Sequence, residues 1–197
     1  MDTVLAALIG IALSATCGFR IFVPLLAVCL ATRAEGEDAQ PLVELADNFN
    51  WLASDSALIV FMVAAIFEIV GYYLPVIDNF LDTVATPASV LAGTLITAAF
   101  LTGMEPWMQW VLGLIAGGGM AGAVQSTTVV ARAASTVTTG GLGNPIVASV
   151  ETGYSFLGSF LAVLAAPVAL VILLFLVFLG LFMWNRRRRL GEVKARK

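Results

Sequence analysis

The eleven residues Gly10–Arg20, GIALSATCGFR, decide how this chain is read. They form an apolar run that carries Ser14 and Thr16 and closes on an arginine. Sliding the chain by 112 positions brings Gly10, Ser14, Thr16 and Arg20 onto Gly122, Ser126, Thr128 and Arg132 of GAVQSTTVVAR. Two further likenesses follow in the same order. Glu68-Ile69-Val70-Gly71-Tyr72 corresponds to Glu151-Thr152-Gly153-Tyr154 with one residue deleted, and each half then meets a proline, Pro87 or Pro167, that opens its last apolar segment. Each half therefore reads as a helix with Ser, Thr and Arg, a helix with Glu and Gly-Tyr, and a plainer helix.

The solvent for these helices follows from composition. The chain has 197 residues, 60% of them hydrophobic and 12% charged, and a mean hydropathy of +0.98. A soluble domain of this size cannot bury so much apolar surface, whereas about 20 apolar residues span the hydrocarbon core of a bilayer as a helix. The expected fold class is an all-α membrane protein. Its first apolar stretch is Val4–Ala31, interrupted by Gly18-Phe19-Arg20 and Pro24, and is either one kinked helix or two short ones. The second is Ala57–Leu74, with Asp55 or Ser56 as N-cap. Pro75 and Pro87 bracket a less apolar connection, and the third span is Ala88–Met104. The fourth opens after Glu105-Pro106, with Trp107 and Trp110 suited to the interface, and runs toward Val137. Gly140–Pro145 breaks the chain, and the long run Ile146–Trp184 divides at Pro167, giving about six transmembrane helices, some of them broken or re-entrant. The N-terminus has only Asp2 before its apolar run, without the basic region of a signal peptide, and reads as retained.

Seven of the ten Lys and Arg residues lie in the tail, from Arg186 to Lys197. Cytoplasmic segments of membrane proteins are rich in such residues, so the tail at 185–197 is expected in the cytoplasm. Six crossings then put the N-terminus there too, and the acidic loop 32–56 outside. Residues 1–105 form the first membrane repeat and 106–184 the second. Three crossings per half make the second half enter from the opposite side, an inverted-topology repeat of the kind found in secondary transporters, whose sites lie near the midplane at helix breaks. The alternative is four full crossings plus two re-entrant hairpins with the Arg segments at their tips, tolerated where the irregular backbone is buried in protein or faces a water cavity.

A charge at mid-bilayer costs about 2.5–3.5 kcal/mol on insertion scales, so such residues face the bundle interior and pair. Arg20, Glu68, Arg132 and Glu151 are in that position, with Asp78 and Asp82 at a span end and Thr16 and Thr128 beside the arginines. They are the candidate ion- or solute-binding residues. The plainer reading is that a buried Arg–Glu pair fixes helix register. Asp78 and Asp82, i and i+4 on one helix face, either attract a cation or solvate a cytoplasmic turn. Gly113, Gly117, Gly118 and Gly122 have the small-xxx-small spacing of close helix contact. Ser126, Thr127 and Thr128 line a polar path or bond back to their own helix. Tyr72, Tyr73 and Trp184 read first as interface anchors.

Other chemistries are poorly served. There is no histidine, and Cys17 and Cys29 have neither the spacing nor the context of a disulfide framework or a zinc site, so no metal and no cofactor are expected. Gly140–Pro145 lacks the Lys-Ser/Thr and the preceding strand of a phosphate loop. No nucleophile-plus-base pairing stands out, so the chain does not read as an enzyme. The basic tail is explained by anchoring, and nucleic acid is not an expected partner.

The strings GFRIFVP (Gly18–Pro24), YYLPVIDNFLDTVATP (Tyr72–Pro87) and GNPIVASVE (Gly143–Glu151) resemble those of a bacterial inner-membrane family, domain of unknown function 4126. The resemblance covers about residues 4–183 and implies a multi-pass protein of the bacterial inner membrane without an assigned activity. From the residues, the leading expectation is a small transporter or channel for an ion or small polar solute. The alternative is a lipid-handling or membrane-organising scaffold. The expected partners are the lipid bilayer and the solute, with a homo-oligomer left open.

Overall fold

The computed structural model describes residues 3–34 and 42–164, and the regular structure among them is helical. Helix α1 covers Thr3–Cys17 and α2 Phe22–Ala31. A short 3-10 turn, Asp47–Ala53, precedes α3, Asp55–Gly71. Helix α4 is Pro75–Phe100. Helix α5, Pro106–Leu112, passes through a π-helical stretch, Gly113–Gly118, into α6, Gly119–Thr139. Helix α7 is Asn144–Leu164. Among the described residues three helices are long and apolar enough to cross a membrane: Phe80–Phe100, Pro106–Thr139 and Asn144–Leu164. They become four if Asp47–Ala53 and Asp55–Gly71, bent by 62° at their junction, count as one span.

Helix α7 is amphipathic in reverse. On α7 the buried positions are Asn144, Ala148, Glu151, Ser155, Ser159 and Ala162, at the three- and four-residue spacing of one helix face. The face turned outward carries Ile146, Val150, Tyr154, Leu157, Phe160 and Leu161. On α6 the buried face is Ala121, Gln125, Thr128 and Arg132. Polar groups are sheltered and apolar ones exposed, the arrangement favoured where the solvent is hydrocarbon and unsatisfied polar groups are what it penalises.

Small residues bring the central helices together. A Cβ on Gly117 of the π stretch would lie 2.2 Å from Thr97 Oγ1 and 2.3 Å from the Gly93 carbonyl oxygen of α4. The glycines at 113, 117 and 118 thus act in helix packing, the expected use of their spacing. Ser14 on α1 donates to the Gly93 carbonyl at 2.7 Å and lies 2.8 Å from Thr97 Oγ1. Around these contacts sits an apolar core that includes Leu13, Ile96 and Phe100, and Cys17 and Cys29 are buried free thiols.

The helix directions correct the inverted-repeat expectation. Gly10 packs on Thr97 and Phe100 while Ser14 reaches Gly93, so α1 runs antiparallel to α4. Gly113 meets Thr94 and Ala98 while Gly122 meets Val90, so the α5–α6 helix is antiparallel to α4 as well. The two Arg-bearing segments are therefore parallel, whereas inversion requires the opposite. The cause is the break at Gly18–Ile21. Its far side, Ile21 and Phe22, meets Glu68 near the end of α3, and Arg33 beyond α2 meets Ala53 and Asp55 at the start of α3. The chain thus reverses, and α1 and α2 form a hairpin rather than one crossing. A hairpin returns the chain to its starting side, which changes the parity of the first half. Gly18 makes the tip possible: a Cβ there would lie 2.6 Å from the Ala121 carbonyl oxygen and from Val124 Cβ.

Two boundaries also move. Ser54, not Asp55 or Ser56, caps α3, its hydroxyl accepting from the Ala57 amide at 3.2 Å. The connection 76–82 is helical: α4 begins at Pro75, where a missing N–H costs nothing, and continues through Pro87. At the far end Gly140 and Gly141, with φ of 64° and 89°, make the turn into α7. The division at Pro167, the sixth crossing, Trp184 and the basic tail lie outside the described residues.

Candidate functional site

The ionisable residues picked from the apolar segments meet where the α1–α2 hairpin tip, the start of α4, the C-terminal half of α6 and the N-terminal half of α7 converge. Arg20 sits in the hairpin break and is 1% exposed. Its Nη1 donates to Glu151 Oε2 at 3.1 Å and to the Phe19 carbonyl at 2.9 Å, its Nη2 to the Ala148 carbonyl at 2.8 Å, and its Nε to Thr152 Oγ1 at 3.0 Å. Thr152 accepts from Arg20 while donating to the Ala148 carbonyl at 2.7 Å. The guanidinium is thereby held by α7 from one side and by its own break from the other.

Arg132 on α6 is 3% exposed and serves three carboxylates. Its Nε donates to Glu151 Oε1 at 3.2 Å, its Nη2 to Glu151 Oε2 and its Nη1 to Asp78 Oδ1. Asp82 Oδ1, one turn along α4 from Asp78, lies 3.7 Å from Arg132 Nε. A planar guanidinium with five donors suits such shared work, because it addresses two oxygens of one carboxylate and still has donors left. Asn144, the first residue of α7, completes the cluster: its Nδ2 donates to Asp78 Oδ2 at 3.0 Å and to Thr136 Oγ1 at 3.2 Å.

Glu68 takes a different part. Its Oε1 accepts from the Ile21 amide at 2.7 Å and its Oε2 from the Phe22 amide at 3.0 Å. Both amides belong to the N-terminal end of α2, where backbone donors have no partner within the helix and the dipole favours a negative charge. Among the described ion pairs Glu68 has no place. Both arginines converge on Glu151, Arg20 reaching it from the first half because the hairpin carries it across to α7.

Thr16 and Thr128 do not join the cluster. Thr16 donates to the Leu13 carbonyl at 2.7 Å and lies 3.1 Å from Ser159 Oγ, and Thr128 donates to the Gln125 carbonyl at 2.9 Å. Ser126 and Thr127 likewise bond back to their own helix. Tyr72 is the residue misread from the sequence. It is buried, and the guanidinium carbons of Arg20 and Arg132 each lie 4.1 Å from its ring centroid. Its position at the end of an apolar run suggested an anchor in the interface, and only the meeting of α3 with the two arginines makes it a cation–π platform. Asn144 and Thr152 were also missed. Both stand inside strings already singled out, Asn144 in GNPIVASVE and Thr152 in Glu151-Thr152-Gly153-Tyr154, but as repeat and family positions rather than as site residues.

Arg132 stands seven residues before the end of α6 and Glu151 seven after the start of α7. At about 1.5 Å per residue the cluster is roughly 10 Å from the α6–α7 turn. Among the described residues no group of three or more His, Cys, Asp and Glu side chains has a geometry that could hold a metal ion. The site gathers two guanidiniums and their carboxylate partners out of contact with solvent.

No curated protein and no solved structure matches the chain. A family model does, over residues 7–186, a span that includes every residue of the cluster. The chain belongs to the family described as Domain of unknown function (DUF4126).

Proposed function

We propose that the chain is a small membrane transporter or channel for an ion or small polar solute, and that the buried charged cluster is where it handles that solute. The observation that carries this reading is an imbalance. Asp78, Asp82, Glu151 and the adjoining Glu68 bring four carboxylates against the two guanidiniums of Arg20 and Arg132. A pair that only fixes helix register is neutral, since an uncompensated buried charge costs several kcal/mol. Two negative charges in excess call for a bound cation or protons taken up from outside the chain. In this reading α3, α4, α5–α6 and α7 cross the inner membrane of a bacterium, α1–α2 is a hairpin entering from one side, and the basic C-terminal tail is cytoplasmic.

Reconstitution tests it. Purified protein in liposomes gives flux of an ion or small polar solute that Arg132→Ala or Glu68→Gln abolishes while the protein stays folded. Flux equal to that of empty vesicles across a broad panel of solutes ends the proposal.

A second reading is a lipid-handling or membrane-organising scaffold. It is supported by Arg20, four of whose five N–H donors are engaged within the chain. Under it Arg20→Ala lowers thermal stability, and vesicles show lipid scrambling or no flux of any kind. Solute flux lost in Arg132→Ala at unchanged fold speaks against it.

A further inference from the structure

We infer that the polar pocket at the C-terminal end of α4 binds a small organic ammonium ion. Helix α4 has 26 residues and is about 39 Å long, with Asp78 and Asp82 near its other end. The pocket is therefore separate from the charged cluster, and the inference stands whether or not that cluster moves a solute.

The pocket encloses about 530 Å³ between the segment Glu44–Asn48 and the turn from α4 into α5. Two contacts hold these walls together. The Ala46 amide donates to the Ala99 carbonyl at 2.8 Å, and Phe49 packs against Trp110 with ring centroids 5.5 Å apart. Glu44, Asp47, Asn48, Thr102 and Gln109 supply the polar lining, and no lysine or arginine is among the described residues around it. Glu44 and Asp47 are exposed, whereas Gln109 is 3% exposed.

Gln109 is the residue that asks for a ligand. Its Nε2 donates to the Leu101 carbonyl at 3.0 Å and to the Met104 carbonyl at 3.2 Å. Both amide hydrogens are thus in use, which fixes the end of the amide that is oxygen. That Oε1 is buried and accepts from nothing among the described residues. Buried amide oxygens are as a rule hydrogen-bonded, so this one calls for a donor from outside those residues. The acidic lining selects the donor's charge. An anion is repelled by Glu44 and Asp47, and a neutral alcohol leaves both carboxylates without a counter-charge. A metal ion is poorly served, because no group of three or more ligating side chains is gathered among the described residues and the volume is that of a small-molecule site. An ammonium on a short carbon chain meets every demand: it has three N–H donors, its charge faces the carboxylates, and one N–H suits Gln109 Oε1.

Calorimetric titration of the purified full-length protein, in nanodiscs of phosphatidylcholine at neutral pH, with 1,4-diaminobutane tests this. Wild type is expected to bind the diamine saturably. Tetramethylammonium, which has the charge but no N–H, and 1,4-butanediol, which has no charge, are expected to bind at least about tenfold more weakly, the factor that a hydrogen bond to a charged group implies. Calcium chloride at the same concentration is expected to leave the diamine isotherm unchanged. The double variant E44Q/D47N keeps the size of both side chains and is expected to lose diamine binding by a similar factor, as is Q109L. Because Q109L also releases the Leu101 and Met104 carbonyls, E44Q/D47N, altered at exposed positions alone, decides the matter if Q109L does not fold. No diamine binding by wild type, equal binding of tetramethylammonium or butanediol, displacement by calcium, or undiminished binding by E44Q/D47N overturns the proposal.

Discussion

Arg132 and Glu151, on either side of the α6–α7 turn, hold each other through two hydrogen bonds, Nε to Oε1 at 3.2 Å and Nη2 to Oε2. The same Glu151 Oε2 also accepts from Arg20 Nη1 at 3.1 Å. Glu151 is therefore the hinge of the cluster: it ties the hairpin tip to α6 and both to α7. The variants below follow from that arrangement.

Arg132→Ala leaves Glu151, Asp78 and Asp82 without their shared cation and is expected to destabilise the protein by about 3–5 kcal/mol. Arg132→Lys restores the charge without the planar fork and recovers only part of the loss. Thermal unfolding in detergent measures both. A double-mutant cycle with Glu151→Gln is expected to return a coupling energy above about 1 kcal/mol, and a coupling near zero contradicts the geometry described.

Glu68→Ala strips the acceptor from the Ile21 and Phe22 amides, which are then buried without partners at a cost of about 1–3 kcal/mol. Hydrogen exchange should quicken at those two amides before it changes on α4 or α6. Unchanged protection at both amides means that something else satisfies them.

Tyr72→Phe keeps the ring beneath the two guanidiniums, and Tyr72→Leu removes it. Each cation–π contact contributes about 0.5–2 kcal/mol. The Leu variant is therefore expected to unfold at a clearly lower temperature than the Phe variant. Equal midpoints would falsify the platform role.

Gly117→Ala drives a methyl into Thr97 Oγ1 and the Gly93 carbonyl oxygen, at 2.2 and 2.3 Å. A cost of about 1–3 kcal/mol is expected, as for other overpacked contacts. Gly119→Ala, two residues on, meets nothing within 4 Å and should be neutral or stabilising by up to about 1 kcal/mol through helix propensity. The two variants compared in one denaturation series separate packing from propensity.

Much of the candidate site was legible because ionisable residues are conspicuous in apolar runs. Arg20, Glu68, Arg132, Glu151, Asp78 and Asp82 stood out in apolar runs for their cost alone, and the fold draws five of them into one cluster with Glu68 beside it. Thr16 and Thr128 were chosen for their spacing from the arginines. Spacing does not reveal whether a hydroxyl turns to a neighbour or back to its own carbonyls. Tyr72 was read from its place at a span end, because an aromatic there looks the same in sequence whether lipid headgroups or guanidiniums cover its face.

Composition and spacing alone were enough to read an all-helical chain with apolar helices of membrane-crossing length and to mark the charges needing shelter, since these depend on local composition and on the cost of burying charge. Gly18-Phe19-Arg20 marked a break, and Gly113, Gly117 and Gly118 marked a close helix contact. Only the tertiary structure decided that the break reverses the chain, that α1 and α6 consequently run parallel, and that both arginines share Glu151. A turn's direction depends on what packs against it, here Glu68 on the amides of α2 and α6 against Gly18. Those partners lie tens of residues away, where no local pattern reaches.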